Sequence, residues 1–537
     1  MSEGAAKKGE RPRKFQAIRG TRDLLPPDTA LWNHVEQTAR EVFSTYGFGE
    51  IRPPIFESTE LFARSIGEET DVVAKEMYTF EDYALPGFEE DRGELLAAEI
   101  IDLESVLYLP SNLNILVSRL RRAKADAGLG EENDAVVEEL IALEARTDFG
   151  RLVQNFTKEL PDSFDMLDNA LREVKYLVRK IVLGNVVTLR PEATASVCRA
   201  YIEHNMQQLP QPVKLYYMGP MFRRERPQKG RYRQFYQIGA EILGGPDAPA
   251  IDAELIEMLM TFFSKCGLQG AELDINSIGH SAPPVDGKNV CRRAYVAKLK
   301  AELEKVKDQL GADSQRRIET NPLRVLDSKL EHEQPIIEKL PRIADHLCDE
   351  CKSHYAAVKR ELDLRGVAYR ENWRLVRGLD YYMRTTFEIT AQGLGSQNAV
   401  CGGGRYDGLV ELLGGPPTKG IGFAIGEDRL ILSLQESGKS PAAHGRDIYI
   451  AWMGQNAYAT AIRAAKTLRS AGLSVELPPV EQKLGKALER ASKLNARFAL
   501  ILGDDEVASG QWTLKTLADG SQQKLTGPAL LEYLRKP

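Results

Sequence analysis

The sequence predicts an α+β protein: an antiparallel sheet with flanking helices, interrupted by a helical insertion and followed by a small α/β domain. Three observations lead to this prediction. Runs rich in β-branched, aromatic or alternating residues recur at 186–189, 213–217, 234–243 and 386–390, which is typical of antiparallel sheets. A stretch of helical character precedes the first of these runs. From residue 446 onward, β and α elements alternate.

Length and composition fit a cytoplasmic protein of several domains. The chain has 537 residues, 43% of them hydrophobic and 28% charged, which is too long for one core and ordinary for globular proteins. No apolar run approaches the ~18 residues of a membrane span. The polar residues 1–14 contain no signal peptide and predict a disordered tail. Six cysteines in such a chain favour a reducing cytoplasm over a disulfide framework.

The N-terminal part of the predicted core covers residues 15–82. Apolar residues follow helical spacing from Leu31 to Tyr46, and Gly47 ends the helix. A proline-stopped strand follows at Gly49–Pro54, and a second strand-like run ends at Phe80.

Residues 83–185 have a different character. Several runs follow helical spacing. The segment holds 20 acidic and 12 basic residues, so it is more negative than the chain as a whole, which has a net charge of −6. We therefore predict an inserted helical domain with no large nucleic-acid surface, since the excess of acid would repel phosphates. The core resumes over 186–440.

The C-terminal domain is predicted over 446–537. Strands at 448–452, 473–477 and 498–502 alternate with helices at 457–471 and 482–494. This order predicts a small α/β domain with a mostly parallel or mixed sheet.

The most informative segment is the basic run 223–235. It holds six basic residues and one acid between two strand-like runs, and Pro227-Gln228-Lys229-Gly230 at its centre is typical of a turn. The pattern predicts a hairpin whose arginines suit phosphate oxygens. A solvated basic hairpin is the alternative.

A second polar pair, Glu192 and Thr194, follows the strand-like run 186–189. In an extended chain, residues two apart point to the same side, so the carboxylate and hydroxyl could hold an ammonium group. The alternative is a helix cap, because a helical run begins near Ala195.

Three further segments complete the pattern: Arg377–Tyr382, the glycine-rich Gly402–Gly408, and Gly420–Leu430. Three successive glycines let a backbone pass close to a ligand or simply form a turn. The spacing of the glycines in Gly402–Gly408 matches neither a dinucleotide-binding fingerprint nor a P-loop. Arg429, at a helix start, suits a phosphate or a surface ion pair.

Together these segments resemble the signature set of histidyl-tRNA synthetases. The resemblance covers about 15–80 and 186–537, and its parts are the N-terminal signature at 16–23, class II motif 1 at 31–54, motif 2 at 214–243, motif 3 at 420–430, and two peptides specific to the histidine enzyme at 377–382 and 402–408. It implies the class II synthetase antiparallel sheet and a C-terminal domain that reads the anticodon. The implied activity is histidine–tRNA ligase, with L-histidine, ATP and tRNA(His) as partners and a homodimer as the assembly.

The resemblance assigns five residues to ATP. Arg223 would clamp the α-phosphate, and Glu225 and Arg231 would hold the adenosine and the outer phosphates. Phe235 would stack on adenine, and Arg429 would bind the γ-phosphate.

Arg377 is assigned to the reaction itself. In the family, an arginine at this position lies by the α-phosphate, where other class II enzymes use a metal ion. Arg223 and Arg377 are therefore the predicted catalytic residues. ATP is expected with Mg²⁺, and no metal ligand of the protein is assigned.

Eight residues are implied for histidine: Glu192, Thr194, Gln237, Glu241, Arg377, Tyr381, Tyr382 and Tyr406. The first three would hold the α-ammonium group, and Glu241 and Tyr382 would contact the two imidazole nitrogens. Such a pair rejects analogues that leave buried polar groups unpaired. The spacing of four between Gln237 and Glu241 also puts both on one face of a strand.

Three positions depart from the family pattern. Arg224 stands where histidine is usual, Asp428 where glutamate is usual, and Ala193 where glycine is usual. The shorter Asp428 would alter how Mg²⁺ is held.

Four further side chains have zinc-ligand chemistry. Cys348 and Cys351 form one CxxC pair, with Cys291 and His280 upstream. Because only one half of this set has good spacing, the sequence favours unliganded thiols over a structural zinc.

Two other classes of protein would share part of this motif pattern. A synthetase-like regulatory subunit of histidine biosynthesis would share the catalytic fold but lack the anticodon-binding domain and resemble the synthetase less in the ATP arginines. Another class II synthetase, such as a prolyl or threonyl enzyme, disagrees with the Arg377–Tyr382 peptide.

Overall fold

The computed structural model describes residues 15–67, 70, 72–82, 142, 185–280, 291–379, 381–391, 398–438 and 445–535. They belong to two compact units, one within residues 1–23 and 35–438 and the other within 24–34 and 439–537. The predicted tail at 1–14 and the predicted insertion at 83–185 lie outside the described residues, apart from Ala142 and Asn185.

The first unit is built on an eight-stranded sheet and a three-stranded sheet. Its strands are β1 (Gly49–Glu50), β2 (Phe56–Ser58), β3 (Tyr78–Asp82), β4 (Asn185–Leu189), β5 (Val213–Phe222), β6 (Gln234–Leu243), β7 (Glu272–Ser277), β8 (Arg370–Glu371), β9 (Met383–Thr390), β10 (Ala399–Arg405) and β11 (Gly420–Gly426). The large sheet has the order β1-β5-β6-β11-β10-β9-β7-β8. Its two edge strands pair in parallel and all inner pairs are antiparallel. The predicted antiparallel sheet is confirmed.

Helices flank this sheet. In the first unit and the segment leading into it they are α1 (Thr29–Thr45), α2 (Thr59–Ile66), α3 (Thr194–Glu203), α4 (Pro249–Cys266), α5 (Cys291–Glu304), α6 (Ala312–Thr320), α7 (Gln334–Ile337), α8 (Asp349–Leu364), α9 (Leu409–Leu412) and α10 (Glu427–Glu436). A π-helical turn covers Val72–Glu76.

One face of the large sheet carries the core. The ring of Phe43 in α1 lies 5.6 Å from that of Tyr216, 5.7 Å from that of Phe262 and 6.0 Å from that of Phe423. Tyr216 and Phe423 are both register partners of Ala240 on β6. Since side chains alternate along a strand, Gln237 and Glu241 point to the opposite face.

The small sheet has the order β2-β4-β3. Asp82, at the end of β3, pairs with Asn185, at the start of β4. The chain therefore leaves and re-enters this sheet at adjacent points, which fits an insertion between the two strands.

The second unit contains a five-stranded sheet. Its strands are β12 (Ile448–Trp452), β13 (Val475–Glu476), β14 (Phe498–Leu502), β15 (Trp512–Thr516) and β16 (Gln522–Leu525), and its remaining helices are α11 (Gln455–Ser470), α12 (Leu484–Lys493), α13 (Asp504–Ser509) and α14 (Gly527–Arg535). In the order β13-β12-β14-β15-β16, the first two pairs are parallel and the last two antiparallel. The predicted mixed α/β sheet is confirmed. Its two antiparallel pairs come from β15 and β16, which were not predicted from the sequence.

Within the described ranges, none of the helices is both long enough and apolar enough to cross a membrane.

Candidate active site

A cavity of about 290 Å³ opens on the face of the large sheet opposite α1 and α4. Eleven of the thirteen residues predicted for the site line it: Glu192, Thr194, Arg223, Glu225, Arg231, Phe235, Gln237, Arg377, Tyr381, Tyr382 and Arg429. The other two contact residues that line it: Glu241 accepts a hydrogen bond from Thr194, and the Tyr406 ring lies 5.9 Å from that of Tyr381. The structure therefore brings all the predicted site residues together.

The outer part of the cavity is formed by the loop between β5 and β6. These two strands pair over their whole length, so the predicted basic hairpin is present. Within the loop, Arg231 Nη1 lies 3.2 Å from Glu225 Oε2, and Arg223 Nη1 lies 4.0 Å from Glu225 Oε1. Arg223 Nε donates to the carbonyl of Pro191 at 3.0 Å. The hairpin is held by these contacts rather than simply solvated.

Two more predicted phosphate and adenosine contacts flank this loop. The Arg223 guanidinium lies 5.3 Å from the centre of the Phe235 ring, a cation–π distance. Arg429, in the first turn of α10, donates to the carbonyl of Ala399 at 2.9 Å. Burial, followed by the charge of Arg231, lowers the pKa of Arg429. Several guanidinium groups thus crowd together, as a polyanion site requires.

Arg377 lies across β10 because a glycine leaves room for it. Its Nη1 donates to Glu388 Oε2 at 2.8 Å. A Cβ atom at Gly402 would lie 2.0 Å from Arg377 Nη2, so a side chain there would displace the guanidinium. Gly402 pairs with Glu388 in register, which brings the carboxylate to the same face.

Glu192 lies at the start of α3 and takes the capping role. Its Oε2 accepts the N–H of Thr194 at 2.7 Å and its Oε1 accepts the N–H of Ala195 at 3.0 Å. The helix begins at Thr194, so the carboxylate, not the Thr194 hydroxyl, satisfies the helix start. Glu192 lines the cavity, and each of its carboxylate oxygens keeps a further lone pair that can accept a hydrogen bond from an ammonium group.

The inner end of the site is a hydrogen-bonded network around Glu241, which is 1% exposed. The hydroxyls of Thr194 and Tyr406 donate to its two oxygens at 2.7 and 2.6 Å. Burial raises the pKa of Glu241 to about 8. A Cβ at Gly422, on the neighbouring strand, would lie 1.6 Å from Glu241 Oε2, so this glycine is required for the carboxylate to fit.

Gln237 presents an unused acceptor. Its side-chain oxygen is buried and has no hydrogen-bond partner among the described residues. A buried unpaired polar atom is destabilising, and this one lines the cavity. It therefore suits a donor from a ligand.

Three tyrosines close the inner pocket. The Tyr381 ring lies 4.7 Å from that of Tyr382 and 5.9 Å from that of Tyr406, measured between centres. Burial raises the pKa of Tyr382 to about 12, so its phenol stays protonated at neutral pH. The pocket is thus walled by rings with polar tips.

Sequence reasoning missed one residue that lines the cavity, Glu388, and one that holds a lining residue, Arg22. Glu388 lines the cavity, and the only local signal was one acidic residue in the β-branched run 386–390. Arg22 donates to Asp428 Oδ1 at 2.7 Å, while the N–H of Tyr236 donates to Asp428 Oδ2 at 2.8 Å. Asp428 therefore fastens the N-terminal signature and β6 to the start of α10, a role that its sequence position alone did not indicate.

This antiparallel sheet, with an arginine-rich cleft that leads into a closed polar pocket, defines the catalytic domain of a class II aminoacyl-tRNA synthetase. The family model of histidyl-tRNA synthetase matches residues 160–430, and that of the anticodon-binding domain matches residues 447–537. The chain belongs to the histidyl-tRNA synthetase family.

Individual relatives agree with this membership. A histidine–tRNA ligase of Koribacter versatilis (strain Ellin345) is 44% identical over 525 residues, covering 97% of this chain and 96% of the relative. One of Solibacter usitatus (strain Ellin6076) is 44% identical over 513 residues, covering 95% and 97%. The crystal structure of apo S. aureus histidyl-tRNA synthetase matches with a TM-score of 0.65 and 32% identity, covering 97% of this chain and 100% of that one.

Proposed function

We propose that this protein is a histidine–tRNA ligase. In the first step, the histidine carboxylate attacks the α-phosphorus of ATP. The bond between the α-phosphorus and the oxygen that bridges to the β-phosphate breaks, and histidyl-adenylate and pyrophosphate form. In the second step, a hydroxyl of the terminal ribose of tRNA(His) attacks the activated carbonyl carbon, and AMP leaves. The observation that carries the proposal is the buried Glu241 network directly beside the arginine cleft.

The outer cleft is the proposed ATP site. Arg223 binds the α-phosphate, Glu225 and Arg231 bind the adenosine and the outer phosphates, and Phe235 stacks on adenine. Arg429 binds the γ-phosphate. The ion pairs within this set support the proposal, because a polyphosphate can replace the carboxylates as partner of these arginines.

Arg377 is the proposed neutralising group at the α-phosphate. Pairing with Glu388 at 2.8 Å orients its guanidinium while leaving its Nη2 and Nε atoms for a ligand. Positive charge fixed at that point stabilises the pentavalent transition state as the histidine carboxylate attacks.

Mg²⁺ suits the donor set of the same cleft. Glu225 and Asp428 both line it and have carboxylate oxygens, the ligand type that Mg²⁺ prefers. The two Asp428 oxygens accept from Arg22 and from the N–H of Tyr236, and each keeps a second lone pair for a metal ion. Glu225 and Asp428 would hold the ion together with the phosphates of ATP, and its charge would assist departure of pyrophosphate.

The inner pocket is the proposed histidine site. Glu192, Thr194 and Gln237 hold the α-ammonium group, and the unpaired oxygen of Gln237 supports this role. Glu241 and Tyr382 contact the two imidazole nitrogens, and Tyr381 and Tyr406 line the ring. A protonated carboxyl and a phenol can each donate to, or accept from, an imidazole nitrogen, whereas an aliphatic side chain would leave both unpaired.

A second cleft of about 1050 Å³ joins the first and suits the tRNA 3′ end. The two share Arg223, Glu225, Arg231, Arg377, Leu379 and Glu388. Additional basic residues line the second one: Lys75, Arg316, Arg317, Arg324, Lys329 and Arg374. Such a surface attracts a phosphodiester backbone, and we propose that the terminal adenosine reaches the adenylate through it.

Two further parts of the function remain proposals. The second unit would bind the anticodon, in line with the matched family model. A homodimer would form through motif 1 at 31–54. Just after it in sequence, Ile55 and Phe56 expose apolar side chains, and the Phe56 ring lies 6.4 Å from that of the exposed Phe80.

ATP–pyrophosphate exchange, assayed with each amino acid separately, tests the proposal. Exchange with histidine alone, followed by charging of tRNA(His), is the expected result. A folded protein without exchange for any amino acid would instead favour the regulatory-subunit alternative. That alternative is disfavoured because Arg223, Arg377 and Arg429 all line one cavity.

A further inference from the structure

Four side chains outside the active site converge: His280, Cys291, Cys348 and Cys351. Their ligand atoms all lie within 4.8 Å of one another. His280 Nδ1 is 3.4 Å from the sulfur of Cys291, 3.8 Å from that of Cys348 and 3.2 Å from that of Cys351. The sulfurs of Cys291 and Cys351 are 3.8 Å apart. Three of the four residues are buried, and Cys348 is half-buried.

Four of the six separations, three between His280 Nδ1 and a sulfur and one between the sulfurs of Cys291 and Cys351, match the edges of a zinc-centred tetrahedron. Zn–S bonds of about 2.3 Å and Zn–N bonds of about 2.0–2.1 Å give edges of about 3.8 Å between sulfurs and about 3.6 Å between sulfur and nitrogen. All four distances quoted above lie within a few tenths of an ångström of these values. An isolated core cysteine would instead be surrounded by carbon atoms.

The backbone around the cluster is shaped to bring these atoms together. Gly279 adopts a φ of +65°, and a Cβ there would lie 2.8 Å from the Cys291 sulfur. Cys291 is the first residue of α5, and Cys348 immediately precedes α8. The N–H of Cys351 points to the Cys348 sulfur at 3.5 Å, and the N-termini of two helices stabilise negative charge on the sulfurs.

We propose that His280, Cys291, Cys348 and Cys351 bind one structural Zn²⁺ ion. The set is Cys₃His, one of the compositions that closed structural zinc sites use. The sequence analysis favoured unliganded thiols because only Cys348 and Cys351 have good spacing. That prediction stays untested. We propose a bound zinc ion instead because His280 and Cys291 lie close to Cys348 and Cys351 in space.

A disulfide accounts for the cluster less well. One bond between two of the three sulfurs would leave the third sulfur and the imidazole facing it without a bonding partner. A divalent metal uses all four groups and offsets two of the three thiolate charges that would otherwise be buried. Binding replaces the thiol protons, which are released to solvent.

The zinc site would also hold the peptide that carries Tyr382. Next to Cys291, Arg292 Nη1 donates to the carbonyl of Tyr382 at 2.6 Å. Arg384 donates its N–H to the carbonyl of Gly279 at 2.7 Å and pairs with Glu350, inside the CxxC segment. We infer that the metal fixes this wall of the pocket; this second inference rests on the proposed function, whereas metal binding itself does not.

Metal analysis of the reduced, full-length protein, purified without a metal-affinity tag or chelator, tests the site. One zinc per chain is expected, with loss of the metal in the Cys348→Ser/Cys351→Ser double variant. Cys266→Ser is the matched control, because Cys266 is also buried but lies outside the cluster. It should keep its zinc. Co²⁺ added to metal-free wild-type protein should give thiolate charge-transfer bands and the visible bands of tetrahedral cobalt.

Three results would overturn the proposal: wild-type protein without zinc that also fails to bind Co²⁺, a disulfide among these cysteines in freshly purified protein, or zinc retained by the double variant. The wild-type measurements stand even if the variant fails to fold. Zinc binding is measured independently of histidine activation, so failure of one proposal is distinguishable from failure of the other. If zinc binds, its removal should raise the KM for histidine more than that for ATP.

Discussion

The outer and inner ends of the active site use opposite electrostatic designs. In the outer cleft, Arg223, Glu225 and Arg231 are partly exposed and charged, and they pair with each other at 3.2–4.0 Å. In the inner pocket, Glu241 is almost fully buried, and its pKa of about 8 makes it a neutral carboxyl near pH 7.

The difference reflects what each end must recognise. ATP brings several charges, so a cleft of exchangeable ion pairs can rearrange around it without leaving unpaired groups. Histidine brings one small ring with two polar nitrogens. A closed pocket of oriented hydroxyl and carboxyl groups selects histidine over other amino acids, because a ligand that leaves any of these buried groups without a hydrogen bond binds less favourably.

Two glycines on neighbouring strands make room for the side chains at the outer and inner ends of the site. Gly402 on β10 and Gly422 on β11 face the site, and each leaves the space that a large polar side chain from elsewhere fills. The first makes room for Arg377 in the outer cleft and the second for Glu241 in the inner pocket. The two ends can therefore be disturbed separately.

The largest expected effect is on the outer cleft. Replacing Arg377 by alanine should lower kcat for histidyl-adenylate formation on the order of 10²–10³-fold, since a preorganised charge at the transition state is lost. The KM for histidine should change much less. Arg370→Ala is the control, because Arg370 lies on β8 with half its side chain exposed and pairs with Asp274. An unchanged kcat in Arg377→Ala would remove the proposed catalytic role.

A smaller effect is expected in the inner pocket from Tyr406→Phe. The change removes the 2.6 Å hydrogen bond to Glu241 and should raise the KM for histidine about tenfold, the size expected for one buried hydrogen bond to a polar group. Steady-state exchange kinetics measure it, with kcat and the KM for ATP nearly constant. Tyr295→Phe removes a hydroxyl that donates to the carbonyl of Pro341 at 2.9 Å and should leave the KM for histidine unaltered. Equal effects of the two variants would contradict the assigned role.

The last effect concerns the dependence of stability, rather than of rate, on pH. Because burial raises the pKa of Glu241 from 4.5 to about 8, the folded state retains a proton that the unfolded state releases across that range. This group's contribution to the free energy of unfolding should therefore fall by at most about 1.4 kcal/mol per pH unit as pH rises from about 4.5 to 8. The melting temperatures of wild type and Glu241→Gln, compared from pH 5 to 8, should diverge in favour of the variant. A pH-independent difference would mean that Glu241 ionises normally.

Local patterns in the sequence predicted the parts of the site that depend on local structure. The hairpin at 223–233 followed from its turn residues and charges. The family resemblance singled out Gln237 and Glu241, and strand alternation placed both on one face of a strand. The large antiparallel sheet and the mixed sheet of the second unit followed from the recurrence of strand-like runs. Each of these inferences needs only neighbours along the chain.

The features that the sequence did not predict depend on contacts between residues that are far apart along the chain. Glu388 enters the site through its register with Gly402, and Arg22 reaches Asp428 across about 400 residues of sequence. The convergence of His280 with Cys348 and Cys351 likewise depends on how β7 and α8 pack. Residue spacing carries no signal for contacts of this kind, since sheet order and helix packing decide them.

The most direct test of the division between the two ends is ATP–pyrophosphate exchange by Gly402→Ala and Gly422→Ala. A Cβ would lie 2.0 Å from Arg377 Nη2 in the first variant and 1.6 Å from Glu241 Oε2 in the second. Gly485→Ala, where a Cβ meets nothing within 4 Å, is the control for both. Gly402→Ala should mainly lower kcat, and Gly422→Ala should mainly raise the KM for histidine. If both variants change the same constant to the same extent, the two ends of the site do not act separately.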